Sequence, residues 1–174
     1  MNWLTKEING KLIYFIEKDN SKNPRVTIRQ LPNGRYIMED KLLDIKKESN
    51  TFERLESNFL SEICVRKIEL KLLKDNLNSI SFNKYIDDNS YFITQVRCWL
   101  ISNYSRNKKN KMKLLELNDG TWKFNWNFQG TRIEYYMKDK DSKIEKIELL
   151  RELHIIFNSK EKELNNVLDL FKEV

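Results

Sequence analysis

The side chains of this sequence best placed to do chemistry are cationic. From Asn89 through Leu115 there is no acidic residue, while Arg97, Arg106, Lys108, Lys109, Lys111 and Lys113 all lie there. The chain carries 32 Lys and Arg against 26 Asp and Glu, so these six residues account for the whole formal excess of +6. A charge excess held in one place is the electrostatic footprint of a polyanion partner, because clustered Lys and Arg neutralise phosphates and release their counterions. A basic cluster is also an ordinary way to end a helix, where cations meet the negative end of the dipole.

Other chemistry is thinly represented. Glu39-Asp40-Lys41 has the acid-x-Lys spacing that sets a metal-binding carboxylate and a Lys on one side of a strand, and Glu17 or Asp19 would supply a further carboxylate, as in metal-dependent nucleases. In a chain that is 33% charged, such a triplet also arises as a solvated strand end. Cys64 and Cys98 have no short paired spacing, too few ligands for a zinc site or a disulfide framework, and they read as reduced, buried small side chains. The single histidine, His154, sits among Leu153, Ile155 and Ile156 and reads as a helix residue at the edge of the core. There is no Gly-rich phosphate loop, no nucleophile elbow and no pair of metal-ligating histidines, so no catalytic residue, metal or cofactor is expected.

The element that must position the basic segment is the strand it runs toward. In Thr121–Phe128 the rings of Trp122, Phe124, Trp126 and Phe128 alternate strictly with Lys123, Asn125 and Asn127. Successive side chains of a strand point to opposite faces, so four rings share one side and polar groups the other. Two arrangements satisfy this pattern. With the rings in the core, Lys123, Asn125, Asn127, Arg132 and Tyr136 form an outward face beside Lys108–Lys113 that contacts phosphates. With the rings outward, they make a stacking platform for unpaired bases. The first is preferred, since each ring gains about 1.5–3 kcal/mol on burial.

Nucleic-acid binding, by DNA or RNA, is therefore the leading expectation, with Arg106, Lys108, Lys109, Lys111, Lys113, Lys123 and Arg132 as the contacting residues. The rival is a small protein-binding module, an inhibitor or assembly subunit docking on a protein that itself handles nucleic acid. A chain rich in Tyr, Trp and Arg suits that equally. A metal-dependent nuclease comes third. The order helix, turn, helix, hairpin across residues 51–128 resembles a winged-helix arrangement, but Tyr91–Tyr104 is too apolar for a helix lying in a groove.

The remaining chain reads as α+β. After a Trp3-Leu4 anchor, strands are expected over about 11–39 in one antiparallel meander, with Asn33-Gly34 turning the chain, and over about 112–138 in a second. Four helices are expected, over about 51–74, 90–106, 142–157 and 160–172. The first opens on an Asn50 cap with Glu53 reaching back, and the last on Ser159. The ring-bearing strand would lie on the first two. A faint similarity between Asn33–Lys41 and Gly130–Lys140 reads as two similar strand endings. With 174 residues, four Gly and two Pro, one domain over 1–174 is expected. The absence of a signal-peptide or membrane-length apolar run points to a cytoplasmic protein with no membrane partner.

Overall fold

A computed structural model of the chain describes residues 3–19, 21–79, 113–138 and 142–172. Within them the architecture is α+β, with two antiparallel sheets and two long helices. The chain forms two compact units, Met1–Ile68 with Glu161–Val174, and Glu69–Lys160. Among the described residues no helix is long and apolar enough to cross a membrane.

The first sheet is a meander of five strands in sequence order: β1 (Trp3–Ile8), β2 (Lys11–Ile16), β3 (Val26–Gln30), β4 (Tyr36–Asp40) and β5 (Ile45–Ser49). It is longer at both ends than the three strands expected. Asn9 and Gly10, at φ 51° and 70°, form the two-residue reversal that pairs Trp3–Ile8 fully with β2, so the expected anchor is an edge strand. At the other edge, Ile-Lys-Lys-Glu-Ser of β5 has a single apolar residue, and its pairing with β4 defines it.

Between β3 and β4, Leu31 N–H donates to the Arg35 carbonyl at 2.7 Å and Gly34 N–H to the Leu31 carbonyl at 3.0 Å, a three-residue loop with Pro32 at its favoured position. One face of this sheet buries Ile16, Val26, Ile28, Met38 and Ile45. Helix α1 (Phe52–Ser79) contributes Leu55, Phe59 and Ile63 to the same core. Phe52 meets Tyr14 and Tyr36 edge to face, with centroids 5.0 and 4.7 Å apart, and Phe59 stacks on Phe171 at 5.7 Å.

Helix α1 starts one residue later than the Asn50 cap implied. The Thr51 hydroxyl accepts the Arg54 N–H at 3.4 Å, which makes Thr51 the capping residue. The helix also runs past residue 74, since no Gly or Pro stops it and Leu73 and Leu77 are buried. Cys64, expected inside, is exposed and free, because the buried stripe follows Leu55, Phe59 and Ile63.

In the second unit, β6 (Lys113–Glu116), β7 (Trp122–Phe128) and β8 (Thr131–Met137) form a three-stranded antiparallel sheet with β7 central. The β6–β7 loop repeats the bonding of the β3–β4 loop: Leu117 N–H donates to the Thr121 carbonyl at 2.7 Å and Gly120 N–H to the Leu117 carbonyl at 3.0 Å. Hydrogen bonds from the Thr121 hydroxyl and backbone N–H hold the Asp119 carboxyl below its ordinary pKa.

Helix α2 (Lys143–Phe171) replaces the two helices expected over 142–157 and 160–172. Its start is as read, with the Ser142 hydroxyl accepting the Glu145 N–H at 3.3 Å. Ser159 caps nothing: without a Gly or Pro nearby, the buried series Leu149, Leu150, Leu153, Phe157, Leu164, Val167 continues through it at helical spacing. That phase leaves Ile144 69% exposed. His154 lies half-buried at the core edge, where desolvation, then the nearby Lys74 charge, lowers its pKa. The helix expected over 90–106 lies outside the described residues.

Candidate nucleic-acid interface

Strand β7 decides which way the second sheet faces. Phe124, Trp126 and Phe128 are fully buried and Trp122 nearly so. Their packing partner on α2 is Phe157, with centroids 5.2 Å from Phe128 and 6.0 Å from Trp126, while Trp126 and Phe128 lie 4.6 Å apart along the strand. The rings therefore belong to a core, with Ile133 and Met137 of β8 beside them. A stacking platform built from these four rings is closed off, and α2 supplies part of the surface that covers them; the second of the two helices expected to lie against them falls outside the described residues.

Burying the rings turns the alternate residues outward. The register sets Leu115, Lys123 and Tyr136 in one row across the sheet, Lys113, Asn125 and Glu134 in the next, and Asn127 with Arg132 in the last. Lys123 Nζ lies 3.1 Å from Glu134 Oε1 and 5.0 Å from the centre of the Tyr136 ring. Arg132 Nη2 reaches the same Oε1 at 2.7 Å. Hydrogen bonding to Tyr136, then to Glu134, raises the Lys123 pKa, and the hydrogen bonds from Arg132 and Lys123 lower that of Glu134. Glu134 thus bridges the two cations through one carboxylate oxygen. Tyr136 is 53% exposed and Leu115 46%, so an aromatic and an aliphatic surface flank the Lys123 ammonium. The adjacent Tyr135 has its own role: burial, then a 3.1 Å hydrogen bond to Glu148, pushes its hydroxyl up to about 12.

Of the residues singled out from sequence, Lys123 and Arg132 therefore share one face, and Lys113 occupies the register position opposite Asn125. Arg97, Arg106, Lys108, Lys109 and Lys111 lie outside the described residues. Glu134 was missed, although its place two residues beyond Arg132 in a strand sets both on one face.

The acid-x-Lys constellation has a different character. Asp40 is fully buried; one oxygen accepts from Arg25 Nε at 2.8 Å, and the other accepts the backbone N–H groups of Leu42 and Leu43 at 2.9 and 3.1 Å. Asp19 accepts the backbone N–H groups of Arg25 and Val26. Both carboxylates are structural acceptors that fix loops, and Glu39 faces Lys46 across the sheet at 3.7 Å. Among the described residues no three acidic, His or Cys side chains converge as a metal site would require.

Against protein-family models, curated proteins and solved structures, the chain gives no match.

Proposed function

We propose that the chain is a non-enzymatic nucleic-acid-binding protein, and that phosphates are contacted by the outward face of β6–β8 together with the acid-free basic segment leading into β6. One observation carries this reading. The rings of β7 are buried, so Lys123, Asn125 and Asn127 face outward with Arg132 and Tyr136, on the sheet that the segment holding the entire charge excess runs into. Within the described face, Glu134 offsets one of the two cations. Most of the electrostatic attraction is therefore assigned to Arg106, Lys108, Lys109, Lys111 and Lys113, with Lys123 and Arg132 positioning the strand. Asn and Tyr side chains add neutral hydrogen bonds to phosphate and sugar, which fix orientation without reading sequence.

The exposure of Tyr136 and Leu115 favours a second reading, a module that docks on another protein through a mixed aromatic and aliphatic surface. Fluorescence anisotropy with labelled single-stranded and duplex oligonucleotides at low salt, using wild type and an Arg132→Gln/Tyr136→Ala variant, separates the two. Weakened nucleic-acid binding in the variant supports the first reading. An absence of nucleic-acid binding by the wild type supports the second.

A further inference from the structure

The first unit carries a polar groove remote in sequence from the basic segment. Arg35, Glu48, Ser49, Asn50, Arg54 and Asn58 line an open space of about 410 Å³. Three features bring them together. The β3–β4 loop ends on Arg35 through the Leu31–Arg35 backbone hydrogen bond. The register Tyr36 to Ser49 then sets the start of β4 beside the end of β5. Arg54 and Asn58, four residues apart on α1, share one helix face.

The groove's charges are unequally committed. Arg35 Nη1 lies 3.5 Å from Glu48 Oε2, and both side chains are nearly half exposed, so the carboxylate steadies the guanidinium while most of its five N–H donors stay available. Among the described residues Arg54 has no ion-pair partner. The Arg54 backbone N–H is already taken by the Thr51 hydroxyl, which leaves recognition to the side chains. All six lining residues are polar, which disfavours an apolar ligand. Two guanidiniums and two side-chain amides converging on one open space call for an anion with several acceptor oxygens. A phosphate group fits best, because its oxygens match the guanidinium fork.

We propose that this groove binds a phosphate group between Arg35 and Arg54, with the Asn50 and Asn58 amides donating to its remaining oxygens or its ester substituent. The proposal stands independently of the second sheet. The same phosphate chemistry is offered by free phosphate, by a nucleotide or by a phosphodiester chain, and separate titrations distinguish these sources.

The test is an NMR titration of the full chain at low ionic strength with inorganic phosphate, a nucleoside 5′-monophosphate and a short single-stranded oligonucleotide. The signals followed are the arginine Nε–H and asparagine side-chain N–H₂ resonances. A saturable shift of Arg35, Arg54, Asn50 and Asn58 with at least one probe is expected, and the probe that saturates first names the source. Arg54→Gln should weaken that binding about tenfold, the loss of one charge-assisted hydrogen bond. Glu48→Gln should strengthen it several-fold by removing the only carboxylate in the groove. Both sites are exposed, so thermal melting of either variant should match wild type. No saturable shift with any probe, or shifts unaffected by Arg54→Gln, would overturn the proposal.

Discussion

Trp126→Ala tests the orientation of the second sheet, on which the candidate interface depends. The ring is fully buried and packs against Phe128, Phe157 and Phe124. A buried Trp removes on the order of 150–250 Å² from water. At about 25 cal/mol per Å², and allowing for what alanine still buries, the loss comes to about 3–5 kcal/mol, the range of aromatic truncations in cores. Urea denaturation followed by tryptophan fluorescence measures it, because Trp122 in the same strand is also buried and remains as reporter. Phe157→Ala should cost about as much. The double variant should fall short of additivity by about 0.5–1.5 kcal/mol, the coupling of an aromatic pair in contact. A loss below about 1 kcal/mol for Trp126→Ala, or strict additivity, would place the ring outside the core and refute the outward assignment of Lys123, Asn125 and Asn127.

Further outcomes follow from the other charged groups. Asp40→Asn should destabilise by about 2–4 kcal/mol in thermal or urea melts, since it leaves the Arg25 guanidinium without its buried partner and disturbs the β4–β5 turn. For Glu62, burial works to raise the pKa, but hydrogen bonds from Lys47 and Arg66 outweigh it and lower it overall. The stability this supplies is present above pH 4.5 and is lost as pH falls through the folded-state value, so Glu62→Gln should flatten the acid limb of a stability–pH curve. His154 also binds its proton less readily when folded than unfolded. Stability should therefore fall as pH drops below 6.5, and His154→Asn should abolish that component.

What was legible in sequence depended on how local the signal is. The strict alternation of Trp122–Phe128 specifies a two-faced strand with no long-range information, and the middle strand with its inward rings is as read. The Asn33-Gly34 turn is equally local, and it reverses the chain with Gly34 at positive φ. Strands at sheet edges were harder. Trp3–Ile8 and Ile45–Ser49 are held by neighbours' backbones rather than by their own apolar pattern. Ser159 misled because serine favours helix starts, while the apolar spacing on either side of it belongs to one continuous phase. Sites assembled across distance were invisible altogether: Arg35 and Arg54 line one groove only because the fold brings the β3–β4 loop, the end of β5 and the start of α1 together, and Glu134 neutralises Lys123 only through the register of β7 with β8.

The central claim is that the basic segment contacts phosphates, and the salt dependence of binding tests it most directly. Replacing Lys108, Lys109 and Lys111 with Gln removes three counterion-releasing contacts. The slope of log affinity against log salt should flatten by up to about 0.9 per lost contact on duplex, or about 0.7 on single strands. Anisotropy measured at several salt concentrations on wild type and the triple variant is predicted to show that flattening, with the melting temperature of the protein unchanged. Identical slopes for the two proteins, or no binding by either at low salt, would contradict it.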